Sequence, residues 1–208
     1  MQIAILLFDR VTALDAVGPY EVLKLLPGAD VRLVAGVPGE KATDGGPLKL
    51  MADHALTEVP SPDIVVVPGG PGAQALFGDE SVLAWLRSAH EHSRWTTSVC
   101  WGSAVLGAAG LLEGLRATSH WLARDDLADH GAVPVNERVV VSGKVITSAG
   151  VSAGIDMALR LAALEAGPKV AQAIQLMIEY DPQPPFDAGS PETAPVEVVE
   201  MLRGGRRE

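Results

Sequence analysis

The sequence predicts a single α/β domain: a doubly wound, mostly parallel sheet sandwiched by helices, with an added β-hairpin. Three observations carry that expectation. Short unbroken runs of Val, Ile and Leu alternate with segments of helical apolar spacing, the pattern of parallel strands joined by right-handed crossovers and covered on both faces. The 208 residues, 48% hydrophobic and 20% charged, suit one core, and one domain is expected over 1–208. No repeat or linker divides the chain.

Taken in order, residues 3–8 and 31–35 read as strands flanking a helix with apolar positions Leu14, Val17, Val22, Leu23 and Leu26, a first β-α-β unit. Residues 64–67 make a third strand that ends in Pro68-Gly69-Gly70-Pro71-Gly72. An amphipathic helix over 80–92 and a fourth strand over 96–99 follow, and an apolar helix comes after Cys100. Residues 139–141 and 144–147 flank Ser142-Gly143, a pair suited to a tight turn, and predict the hairpin at one edge of the sheet. Helices over 152–164 and 169–180 close the fold. The proline-rich stretch 181–195 reads as extended coil before a last short helix.

A net charge of -10 repels polyanions, and the only basic run, residues 203–207, lies at the C-terminus, so nucleic acid is not an expected partner. No apolar run is long enough to span a bilayer, so no membrane partner is expected. The opening MQIAILLFDR has neither a basic n-region nor a cleavage site; it reads as a strand, and the expected location is the cytoplasm. One cysteine cannot close an intrachain disulfide or supply a thiolate cage, and no His, Cys, Asp or Glu pair has metal-ligand spacing, so no metal is expected.

Sites in a doubly wound sheet form at the carboxyl ends of the strands, and Cys100 stands at such an end, followed by Trp101-Gly102-Ser103. A thiol at a helix N-terminus is expected to have a lowered pKa and to act as a nucleophile. A lone cysteine chosen at random is more often a small buried hydrophobe, but the strand end and the flanking glycine favour function here. Asp15, at the start of the first helix, shares that sheet edge. It could carry a proton for the thiol if burial raises its pKa, although spacing alone favours a helix cap. Gly69 and Gly70 could turn backbone N–H groups toward an anionic intermediate, or form a plain turn. His120 follows a strand end and could line the pocket or make a structural hydrogen bond. His54, His90, His92 and His130 read as solvated surface.

Together, Leu6-Leu7-Phe8, Leu14-Asp15-Ala16-Val17-Gly18-Pro19-Tyr20-Glu21-Val22, the Pro68 to Gly72 run and Ser98-Val99-Cys100-Trp101-Gly102-Ser103 closely resemble the ThiJ/PfpI superfamily, which has the class I glutamine amidotransferase-like fold. Residues 117–121, 150–156 and 179–195 resemble its bacterial isocyanide (isonitrile) hydratases, above all in Glu179-Tyr180, Pro184-Pro185-Phe186 and Gly189-Ser190-Pro191. The resemblance implies a flavodoxin-like sandwich, a homodimer, and a cysteine nucleophile on a strained elbow beside an acidic residue, matching Cys100 and Asp15. It also implies cofactor-free hydration of a small-molecule isocyanide to an N-substituted formamide through a thioimidate on Cys100. Backbone N–H groups near Gly70 and Trp101 would steady the intermediate, and the backbone around Val151 would pack beside the site. The hydratases carry threonine directly after the cysteine, where this chain has Trp101. Two alternatives stay open: a glyoxalase or deglycase, in which Cys100 adds to a dicarbonyl, and a non-enzymatic ligand- or redox-sensing domain.

Overall fold

The first strand, β1 (Gln2–Leu6), is apolar from Ile3 onward because both of its faces are covered. With the residues that follow it, Ile3, Ile5 and Leu7 enter one apolar cluster while Ala4, Leu6 and Phe8 enter the other, as a two-residue side-chain period requires. The computed structural model describes residues 1–204; Arg206 and Arg207, the end of the basic run, lie outside the described residues.

Strands β2 (Asp30–Ala35), β3 (Gly39–Ala42), β4 (Lys49–Ala52), β5 (His54–Ala55), β6 (Ile64–Val67), β7 (Trp95–Val99), β8 (Arg116–Ala117), β9 (Val133–Pro134), β10 (Val139–Ser142) and β11 (Val145–Ser148) follow in chain order. Seven strands form one sheet in the order β10-β11-β7-β6-β1-β2-β5, parallel throughout except for β10 against β11. The run β2-β1-β6-β7-β11 is the 2-1-3-4-5 order of flavodoxin-like sheets, whose crossovers change face between β1 and β6.

Helices α1 (Ala13–Leu23), α5 (Ala153–Ala166) and α6 (Pro168–Met177) cover one face, burying Val22 and Leu23, Met157 and Leu161, and Ile174. Helices α2 (Ala73–Leu76), α3 (Glu80–His92) and α4 (Gly102–Ala108) cover the other, with Leu76, Leu86 and Val105 inside. Asp79 caps α3 by accepting from the Ser81 and Val82 N–H groups at 3.1 and 3.2 Å.

The predicted hairpin forms, and β11 is also the parallel partner of β7, so the hairpin makes the edge of the main sheet. Its turn lies one residue later than Ser142-Gly143. Ser142 pairs with Val145, which leaves Gly143, at φ 60°, and Lys144 as the turn residues. The antiparallel pair β3 and β4 was not expected: only Ala52 of its residues is buried, and Gly, Glu and Lys give no strand pattern. Two compact units are distinguished: a body, Met1–Ile178, and a C-terminal unit beginning at Glu179. Within that unit, coil leads to α7 (Val196–Gly204), in which Val199 is buried.

Candidate active site

The loop after β1, the end of β6 and the end of β7 meet at the point where the crossovers change face, the crevice at which open α/β sheets bind ligands. Their close approach depends on two glycines. A Cβ on Gly69 would lie 2.5 Å from the Trp101 amide nitrogen and 3.0 Å from both the Cys100 Cβ and Asp15 Oδ2. Gly70 has φ 127° and would drive a Cβ to 2.4 Å from the Thr12 nitrogen.

Cys100 links β7 to α4 with φ 58°, a left-handed conformation that a non-glycine residue holds only when its surroundings impose it. The surroundings are specific. Its N–H donates to the carbonyls of Ala149 at 2.9 Å and Ser148 at 3.2 Å, beyond the end of β11 and at it. Its own carbonyl accepts from Ser119 Oγ at 2.7 Å. Ser103, in the first turn of α4, donates to the Thr118 carbonyl at 2.7 Å, and Thr118 N–H donates to Thr147 Oγ1 at 2.9 Å. The segment around Thr118 and Ser119 is thus tied both to the elbow and to the next strand.

Asp15 lies within the first turn of α1 and has no exposed surface. It is not the cap: the N-cap is Thr12, whose hydroxyl donates to Asp44 Oδ2 at 2.5 Å. Asp15 Oδ2 accepts from the Gly69 N–H at 2.9 Å, and Oδ1 has no hydrogen-bond partner among the described residues. Burial pushes the Asp15 carboxyl up to about 7; the Gly69 N–H and the Cys100 thiol hold it down in part, and the Asp44 charge adds to the rise. The Cys100 thiol, 6% exposed, is also pushed far up, first by burial and then by the Asp15 charge, with the Trp101 and Val151 N–H groups opposing. The lowering expected from a helix N-terminus does not win. α4 is short, and the N–H contribution is smaller than the cost of charging a buried sulfur next to a carboxylate. The pair therefore keeps a proton at neutral pH, and the sulfur, whose proton affinity is raised the further of the two, holds it.

The thiol opens on a cleft of about 190 Å³. Of the residues singled out from sequence, Cys100, Gly70, Trp101, His120 and Val151 line it, and Asp15 adjoins Cys100 in the interior. Leu122 N–H donates to His120 Nδ1 at 3.3 Å, which assigns the ring proton to Nε2. Gly150 makes room for this ring, since a Cβ there would lie 2.7 Å from its Cδ2. Sequence reasoning missed Ser119 as the group that holds the elbow, and Thr12, Pro71 and Leu122 as lining. The signal for Ser119 was two hydroxyl residues, Thr118-Ser119, directly before His120.

The other histidines are less solvated than expected. His130 packs edge-on against Phe77 with ring centroids 5.9 Å apart, His90 Nδ1 pairs with Thr96 Oγ1 at 2.9 Å, and His54 Nε2 meets the Arg32 guanidinium at 2.7 Å. Only His92 is exposed. Among the described residues no group of three or more His, Cys, Asp or Glu is placed to hold a metal ion, and no helix is long and apolar enough to cross a membrane.

Known proteins share this architecture. The chain is 48% identical over 205 residues to an isonitrile hydratase from Pseudomonas putida, an alignment covering 98% of this chain and 89% of that one. A glutathione-independent glyoxalase of Caenorhabditis elegans is 28% identical over 144 residues, 68% of this chain and 77% of that protein. A crystal structure of a ThiJ/PfpI family protein from Pseudomonas syringae superimposes with a TM-score of 0.95 at 40% identity, covering 98% of this chain and 84% of that one. The model of the DJ-1/PfpI family matches residues 1–164, which include the elbow at Cys100, the Asp15 carboxyl and the glycine turn after β6, and the chain belongs to that family.

Proposed function

We propose that this protein hydrates an isocyanide to an N-substituted formamide, with Cys100 as nucleophile and Asp15 as proton carrier. The observation that carries the reading is the pair itself: a thiol on a strained elbow at a small cleft, coupled to a wholly buried carboxyl that titrates near neutrality and keeps one oxygen unpartnered. The 48% identity to an isonitrile hydratase along nearly the whole chain supports the choice of reaction.

The terminal carbon of an isocyanide accepts a nucleophile and then a proton. Asp15 takes the thiol proton as Cys100 sulfur bonds to that carbon, and returns it to the same carbon, leaving a thioimidate. Asp15 then takes a proton from water as its oxygen adds to the thioimidate carbon, and delivers it to nitrogen. The carbon–sulfur bond breaks, the hydroxyl proton passes through Asp15 to sulfur, and the formamide leaves with the thiol restored. One water is consumed and no redox change occurs, so no cofactor is required. The Trp101 and Val151 N–H groups, which already stabilise charge on sulfur, act on the attacking thiolate, and the backbone at Gly70 faces the same cleft. His120 Nε2–H supplies a polar group in the lining.

A homodimer acting in the cytoplasm fits this reading. Leu176 and Met177 on α6 are 81% and 75% exposed, a surface suited to burial against a second copy, and light scattering would measure the assembly.

The direct test is formamide production from cyclohexyl isocyanide by the purified protein and by Cys100→Ala, with methylglyoxal run in parallel. Formamide from the wild type and none from Cys100→Ala is the expected result. Turnover of methylglyoxal alone would move the assignment to a glyoxalase, and turnover of neither to ligand sensing.

A further inference from the structure

The hairpin of β3 and β4 lies outside the seven-stranded sheet, yet near its turn it is bonded to the loop that leads into the site. The Arg10 N–H donates to the Ala42 carbonyl at 2.7 Å, the Ala42 N–H to Asp9 Oδ1 at 3.0 Å, and the Asp44 N–H to the Val11 carbonyl at 3.0 Å. The same loop is also bonded to the glycine turn after β6: the Thr12 N–H donates to the Gly69 carbonyl at 3.0 Å and the Gly72 N–H to the Arg10 carbonyl at 3.1 Å. Arg10 itself sits at φ 63°, a left-handed conformation that these contacts impose. The side chains add one more bond, and it displaces another. An N-cap threonine normally accepts with its hydroxyl from an N–H two or three residues on; Thr12 makes no such bond, and its hydroxyl donates instead to Asp44 Oδ2 at 2.5 Å. Thr12 lines the cleft, and its carbonyl accepts from the Asp15 N–H at 3.0 Å.

We propose that Asp44 is a positioning residue for the reaction: from the hairpin it holds the Thr12 hydroxyl, and with it the first turn of α1, so that Asp15 stays against the Gly69 N–H and within reach of the Cys100 sulfur. The inference rests on the hydratase reading for its effect on turnover and adds a residue from outside the thiol–carboxyl pair. Asp44 is not among the residues that line the cleft, so it acts through Thr12. It is near enough for its charge to be felt at Asp15, and it is exposed, so replacing it leaves both cores intact. Asp15 is held by the Gly69 N–H and by the Cys100 thiol, and a shift of its turn loosens both. A misplacement of about 1 Å can cost roughly 10²-fold in rate; releasing one hydrogen bond while the backbone bonds remain should cost less, about three- to tenfold.

The test measures kcat and KM for formamide production from cyclohexyl isocyanide in the wild type, Asp44→Ala, Asp44→Asn, Thr12→Val and the double variant Thr12→Val/Asp44→Ala, with melting curves to establish that each is folded. Glu40→Ala, which removes the ion pair to Lys49 from the same hairpin and leaves the Thr12 bond in place, is the control. Asp44→Ala and Thr12→Val should each lower kcat about three- to tenfold with little change in KM. Both remove the same bond, so the double variant should stay within about twofold of the slower single one. Asp44→Asn keeps an acceptor for the hydroxyl and should recover most of kcat, and Glu40→Ala should match the wild type. Wild-type kcat in Asp44→Ala, losses that multiply in the double variant, no recovery in Asp44→Asn, or a Glu40→Ala as slow as Asp44→Ala overturns the inference while leaving the hydratase reading intact. If Thr12→Val does not fold, the Asp44 variants and the control decide. Alkylation by iodoacetamide reads the same pair without isocyanide, because Cys100 is the only cysteine in the chain. It should be slower in Asp44→Ala than in the wild type and recover in Asp44→Asn. A wild type that hydrates no isocyanide overturns the hydratase reading, and the alkylation rates then decide the inference: equal rates in the wild type and Asp44→Ala overturn it as well.

Discussion

The two ends of β7 both carry buried polar groups, and they treat them in opposite ways. At the N-terminal end Thr96 shares hydrogen bonds with Ser93 at 3.0 Å and with His90 at 2.9 Å, and the Trp95 indole donates to Glu165 at 2.9 Å. Lys144 reaches across to the carbonyls of His90 and Ser93, closing the last turn of α3. At the C-terminal end Cys100 is held at φ 58°, and Asp15 keeps a carboxyl oxygen with no partner. Satisfied groups fix a sheet edge; a strained residue beside an unsatisfied one persists where the rest of the fold holds it in place, and such features cluster at functional sites.

The largest expected break in this contrast comes from Asp15→Asn. It removes the proton carrier and should lower kcat/KM for isocyanide by about 10² to 10⁴-fold. The same change should stabilise the fold. A carboxyl raised from 3.8 to about 7 contributes stability that is complete below pH about 4 and is lost as the pH rises through about 7. Asp15→Asn should therefore exceed the wild type in unfolding free energy at pH 8 by up to about 4 kcal/mol and lose that advantage at pH 4, as denaturant titrations at the two pH values would measure.

Gly69→Ala tests the close approach of the two strand ends. Its Cβ has no space beside the Trp101 nitrogen, so the elbow must move. A loss of about 1–3 kcal/mol in denaturant unfolding and a fall of roughly 10²-fold in kcat are expected. Ser119→Ala removes one hydrogen bond to the Cys100 carbonyl and should cost about 1 kcal/mol, with a fall in kcat of about tenfold and little change in KM. Ser93→Ala, at the opposite end of β7, should cost about 1 kcal/mol and leave kcat/KM unchanged, since Thr96 keeps His90. If Ser93→Ala slows turnover as much as Ser119→Ala does, the two ends do not differ in the way described.

The doubly wound fold was legible because strands buried on both faces must be apolar throughout, as in residues 3–8 and 64–67. The hairpin's turn was misplaced by one residue, since Ser142-Gly143 and Gly143-Lys144 are equally acceptable as turns and only the pairing with β11 decides. Cys100, Asp15, Gly70, Trp101, His120 and Val151 were legible as candidates because each lies near the carboxyl end of a strand or in a quoted motif. Their geometry brings them to one place; their roles are for the experiments above to establish. Proton affinities were not legible. A helix N-terminus argues for an acidic thiol, and only the buried position beside Asp15, which depends on contacts far apart in sequence, reverses that expectation. Ser119 escaped for the same reason, its partner being a backbone carbonyl 19 residues away.

The pH profile of kcat/KM for isocyanide hydration, measured for the wild type and Asp15→Asn, tests the thiol–carboxyl pair most directly. The reactive form holds one proton between Cys100 and Asp15, so the wild-type value should rise with pH through an inflection near 7, and Asp15→Asn should lack that inflection. A profile that is flat through 7, or the same inflection in Asp15→Asn, would contradict Asp15 as the proton carrier.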